Sequence, residues 1–113
     1  KKIVSSSLNI SVLIKALQDK QELARYIAAF TLNYIGRSKT TSATPNLIKA
    51  LQDESPLVRQ SAAFALSNTK KTDSSVRALI KALKDSNYQV RNSAAYALNR
   101  MGVAERMLRQ LDE

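Results

Sequence analysis

The sequence predicts an all-α fold, an α-solenoid of three stacked helical hairpins followed by one further helix. Three observations carry that expectation. A two-block motif recurs three times, each block has a helical period, and the residues that punctuate other folds are scarce. Leu13-Ile14-Lys15-Ala16-Leu17-Gln18-Asp19 returns as Leu47-Ile48-Lys49-Ala50-Leu51-Gln52-Asp53 and again as Leu79-Ile80-Lys81-Ala82-Leu83-Lys84-Asp85, at steps of 34 and 32 residues. Behind each copy, at a fixed offset, come Ala28-Ala29-Phe30-Thr31-Leu32, Ala62-Ala63-Phe64-Ala65-Leu66 and Ala94-Ala95-Tyr96-Ala97-Leu98. Gly and Pro occur twice each in 113 residues, which leaves little punctuation for an all-β chain.

Each first block, helix A, places Leu47, Ile48 and Leu51 or their equivalents on one face. Each second block, helix B, carries a single apolar stripe, in the middle copy Val58, Ala62, Ala65, Leu66 and Thr69. The small residues Ala62 and Ala65 let neighbouring helices approach closely. The breaks are also legible. Ser55-Pro56 supplies an N-cap and a first-turn proline, Asn87 caps the third copy, and Gln21 is the weaker equivalent in the first. Gly36 and Gly102 stand after helix B, where a left-handed residue closes a helix; Lys70 takes that place in the middle copy, whose end should fray or close differently. The expected helices span 11–18, 22–35, 44–52, 56–69, 73–84 and 87–101, giving repeats of about 9–42, 43–72 and 73–102. Residues 103–111, with Val103, Met107, Leu108 and Leu111 on one side, form a partial unit or cap. Ile3, Val4 and Leu8 read as the remnant of a preceding unit. A single hairpin cannot bury its apolar face, so the units must stack into one domain over 1–113.

Composition narrows the chemistry. The chain has neither cysteine nor histidine, which removes disulfides, thiolate nucleophiles, the commonest general base and the commonest transition-metal ligand. No apolar run approaches the ~20 residues of a membrane span, and the start of the chain lacks the apolar stretch of a signal peptide. There is no initiator Met, so a fragment of a longer protein, or a chain processed at its N-terminus, is expected, and a cytoplasmic one. No phosphate loop, paired catalytic carboxylates or metal cluster is visible, so we expect no enzyme activity and no cofactor. The net charge of +9 suits an acidic partner, or simply a soluble module.

Leu-Ile-x-Ala-Leu-x-Asp, then Val-Arg-x-x-Ala-Ala-x-Ala-Leu, then Gly, resembles the short HEAT-like repeats of phycobilisome lyases over roughly residues 10–111. The resemblance implies a right-handed superhelix with helices A convex and helices B concave. It also implies a ladder of Asp19, Asp53 and Asp85 with Arg25, Arg59 and Arg91 that ties successive turns together. Ala24 stands where Val58 and Val90 do, so packing should be thinner there.

Four features compete as functional sites. The Asp–Arg ladder reads as structure, since every copy has the pair. The aromatic row Phe30, Phe64 and Tyr96 lies off the core stripe of helix B. Tyr26, Gln60 and Asn92 stand one turn before it, and Tyr34, Asn68 and Arg100 one turn after. The row is a partner-binding strip on the concave face or mere padding between helices B. The acid-free stretches around Arg59, Lys70, Lys71, Arg91 and Arg100, with Arg37 and Lys39, could attract an acidic ligand, although bases at helix C-termini also answer the macrodipole. Lys15, Lys49 and Lys81 suit a solvated convex face. The reading that follows is a protein-interaction scaffold. The alternatives are a bilin-handling lyase component, on the resemblance, and a nucleic-acid binder, on charge alone.

Overall fold

Four of the six described helices start where a polar side chain holds the free N-terminus. The computed structural model describes residues 9–35 and 40–103. Among these residues it is all-helical: α1 Ile10–Ala16, α2 Glu22–Tyr34, α3 Thr44–Ala50, α4 Pro56–Leu66, α5 Asp73–Ala82 and α6 Tyr88–Arg100, with a 3-10 turn at Thr41–Ala43 leading into α3. The Asn9 side chain accepts the Ser11 N–H at 2.9 Å. Ser55 caps α4 ahead of Pro56, and Asn87 accepts the N–H groups of Gln89 and Val90 at 2.9 and 3.1 Å. Thr72 and Ser75 form a reciprocal capping box on α5. Gln21 makes no side-chain cap; there the Asp19 carboxylate takes the Gln21 N–H at 2.8 Å instead.

The hairpins are α1–α2, α3–α4 and α5–α6, each a helix A on its own helix B. Helices B form the tighter layer, α2 on α4 and α4 on α6, whereas α3 meets α5 more sparsely. The alanines explain the difference. Ala28, Ala29, Ala62, Ala63, Ala65, Ala94 and Ala97 are all buried, so the B backbones come close. Leu32, Leu47, Leu66 and Leu79 fill what remains and are fully enclosed, each worth about 1.5–3 kcal/mol relative to exposure. Val58 and Val90 are likewise fully buried, while Ala24 at the equivalent place stays partly exposed.

Every described helix ends short of its expected bound, by one residue in α2 and α6 and by two or three in the others. Helices α3 and α5 stop at Ala50 and Ala82 because the following residues close into tight i→i−3 turns, Asp53 N–H to Ala50 O and Asp85 N–H to Ala82 O, both 3.1 Å. Helix α4 stops at Leu66 rather than reaching 69. Its last carbonyls are taken by hydroxyls, Ser67 to Phe64 O and Thr69 to Leu66 O, so Lys70 needs no left-handed backbone. The Lys70 N–H instead reaches the Thr41 hydroxyl at 3.3 Å. By contrast Gly102, after α6, has φ 76°, a conformation that costs glycine little. Val103 is buried; the rest of the expected helix to 111, Gly36 and Ile3, Val4 and Leu8 lie outside the described residues.

Candidate functional site

The two ends of each helix B carry different chemistry. At its N-terminal end, each A–B turn is built around an aspartate. Asp53 accepts the Ser55 N–H at 2.9 Å and Asp85 the Asn87 N–H at 2.8 Å. The same carboxylates receive a fork from the preceding repeat. Arg25 Nε and Nη2 reach Asp53 at 2.8 and 3.2 Å, and Arg59 Nε and Nη2 reach Asp85 at 2.8 and 3.1 Å. The third nitrogen, Nη1, ties each arginine to its own turn: Arg25 to Asp19 O and Lys20 O, Arg59 to Asp53 O, and Arg91 to Asp85 O at 2.8 Å. Asp19 and Arg91 are the outer members of the series. No described arginine reaches the Asp19 carboxylate, and Arg91 meets no described carboxylate but lies 6.0 Å from the Tyr88 ring.

The rungs are largely shielded from water. Burial would raise the pKa of Asp85. Hydrogen bonds from Arg59 and from the Asn87 N–H, with the charges of Arg59 and Arg91, outweigh it and hold the carboxyl below its usual range. The hydrogen bond to Asp53 pushes Arg25 above its ordinary value against burial, helped by the charges of Asp53, Glu54 and Glu22. Such groups are fixed in one ionic state around neutrality, which suits a tie rather than an acid or base. Two matching grooves, of about 460 and 500 Å³, lie beside the rungs between successive helices A. The first touches Arg25, Lys49 and Asp53, and the second Arg59, Lys81 and Asp85. They recur because the stacking recurs. Lys15, Lys49 and Lys81 are all exposed.

The outward side of helices B is different. Phe30 is 44% exposed, Tyr34 72% and Tyr96 45%; Phe64 and Tyr26 are half-buried. These rings fall into two clusters. On α2, Phe30 sits 5.9 Å from Tyr26 and 5.0 Å from Tyr34. Phe64 instead meets Tyr96 of the next repeat edge-on at 5.3 Å, and the Arg100 guanidinium lies 5.9 Å from the Tyr96 ring. Phe30 thus turns toward its own helix and Phe64 away from it. Between them lies a cleft of about 230 Å³ lined by Phe30, Asn33, Tyr34, Ser61 and Phe64. At its C-terminal edge, the Asn68 amide donates to both the backbone and the side-chain oxygen of Asn33, at 2.8 and 2.7 Å. Gln60 is half-buried and Asn92 exposed on the same layer.

Five exposed apolar or aromatic residues fall outside the features read from the sequence: Val12, Leu23, Ile27, Leu57 and Tyr88. Leu23 is 64% and Ile27 51% exposed on α2. Aligning the copies could have found Ile27, since Ser61 and Ser93 take its place and both are buried. Among the described residues no group of three or more carboxylates could hold a metal ion, and no helix is long and apolar enough to cross a membrane. A search of curated proteins finds no match to the chain. A family model for HEAT repeats matches residues 10–99.

Proposed function

The chain belongs to the HEAT repeat family, and from that premise we propose that it is a non-catalytic scaffold that docks a protein partner on the helix-B face. HEAT repeats generally serve protein interaction, so the question is which surface. The observation that carries the choice is the set of large rings left in water on helices B although alanines and leucines already complete the core. Rings at such positions are expensive to leave solvated and gain most when a partner covers them. Around Phe30, Phe64 and Tyr96 stand Tyr26, Tyr34, Gln60, Asn68, Asn92 and Arg100, which supply hydrogen-bonding groups at the rim, as docking surfaces commonly have. The exposed lysines of helices A offer no comparable apolar anchor.

The test compares the two sides. Phe64→Ala with Tyr96→Ala is expected to abolish capture of partners that the unaltered chain retains, while Lys15→Ala with Lys49→Ala and Lys81→Ala leaves capture intact. If every captured partner survives the aromatic double variant, the helix-B face is not the docking surface.

A further inference from the structure

We infer that the cleft between α2 and α4 receives a single apolar side chain of an extended, acidic peptide segment, whose carboxylates lie along the C-terminal rim of helices B. This rests on the helix-B face being the docking side. The cleft exists because Phe30 packs on Tyr26 and Tyr34 while Phe64 packs on Tyr96. Its volume of about 230 Å³ fits one large side chain and is too small for a helix laid flat. Its walls are the rings of Phe30, Tyr34 and Phe64, and Asn33 and Ser61 supply polar atoms beside them. An aliphatic or aromatic side chain entering there would cover ring surface now in water.

The charge of the occupant follows from where the acids are. Asp19, Asp53, Glu54 and Asp85 sit at the A–B turns, with Glu22 in the first turn of α2, and the two inner aspartates are already neutralised by arginine. From Pro56 to Thr72 and from Ser86 to Ala104 there is no acidic residue. The opposite rim, after α4 and at the close of α6, carries exposed Lys70, Lys71 and Arg100; the described carboxylate on that side is Asp73, which opens α5. A peptide anchored in the cleft and running toward α6 would bring acidic side chains past this rim. With helix axes about 8–10 Å apart and about 3.3 Å per extended residue, Arg100 lies roughly four residues along from the anchor.

The test is fluorescence polarisation with a labelled twelve-residue peptide containing one Leu and three Glu, the first Glu four residues from the Leu, made in both chain orders. The chain is expected to bind one order. Leu→Ala in the peptide, or Phe30→Ala with Tyr34→Ala in the protein, should weaken binding at least tenfold. Arg100→Glu, or Glu→Lys in the peptide, should weaken it at least fivefold. Both protein variants replace exposed residues; their far-ultraviolet circular dichroism should match the unaltered chain, and their melting should stay cooperative and above the assay temperature. Equal binding of the Leu→Ala peptide would overturn the anchor, and equal binding of the Lys peptide would overturn the acidic assignment. Displacement by a duplex oligonucleotide at physiological salt would point to nucleic acid and overturn it as well. If no peptide binds in either order while Phe64→Ala with Tyr96→Ala still abolishes partner capture, this inference falls and the docking face stands.

Discussion

The ladder edge and the helix-B face lie on the same three helices, yet one repeats and the other does not. Arg25–Asp53 and Arg59–Asp85 agree to within about 0.1 Å in both bonds, and the grooves beside them share most of their lining positions. On the helix-B face, equivalent rings behave differently: Phe30 contacts its own helix and Phe64 the next one. A feature that every junction needs must be built the same way at every junction, so identical geometry marks structure. Geometry that changes from copy to copy is free to answer to something outside the fold. That contrast, more than the +9 charge, supports the proposed docking face.

The largest effect expected to test the contrast is on the ladder. Arg59→Ala removes a bidentate partner from a carboxylate that is mostly shielded from water and should cost about 3 kcal/mol, as breaking a buried pair commonly does. Arg59→Lys should recover only part of it, because a point charge cannot span both oxygens and Asp53 O together. Urea denaturation reads both. Binding to the helix-B face should be unchanged below the unfolding transition. A loss under 1 kcal/mol would mean that the rungs decorate the stack rather than hold it.

A smaller effect comes with acid. Asp85 is held below its usual pKa in the fold, whereas in the unfolded chain it titrates near ~3.9. The stability it contributes is therefore fully present above that unfolded value and is lost as pH falls through the lower folded value. The stability gap between the unaltered chain and Asp85→Asn should be constant from neutrality down to about pH 5 and close at lower pH. Denaturation midpoints measured for both proteins across that range check it; a gap that persists unchanged at pH 2 would contradict the ionic rung.

Much of the ladder was legible because it is written three times. The Asp and Arg positions recur at one offset, and the HEAT-like resemblance implied a ladder between successive turns, though not that each arginine reaches the aspartate of the next copy. The junction of Ala24 with its thinner packing could also be read, since side-chain volume is a property of the letter. The cleft could not. It depends on whether Phe30 and Phe64 rotate along or across the helix layer, which the letters at those two positions do not say. Tyr34 at the place of Asn68 and Arg100 offers Phe30 a partner on its own helix, while among the described residues Phe64 meets the ring of Tyr96. The close of α4 escaped for a similar reason. A missing glycine signals a different ending, but not that Ser67 and Thr69 would take the free carbonyls.

The smallest effect gives the sharpest comparison, because it sets one pair from each region on the same scale. A double-mutant cycle on Phe64 and Tyr96 measures what the two rings contribute to folding through each other. Their centroids are 5.3 Å apart in an edge-on arrangement, and such pairs are worth about 0.5–1.5 kcal/mol beyond burial. Tyr96 is nearly half in water, so the coupling should fall at the low end, about 0.5 kcal/mol. The same cycle on Arg59 and Asp85 should give several times more, since both side chains are largely enclosed and two charge-assisted hydrogen bonds are lost. If the ring pair instead couples as strongly as the ion pair, then Phe64 and Tyr96 are a second tie between repeats. Their exposure would then be incidental, and the helix-B face would lose its claim to be free for a partner.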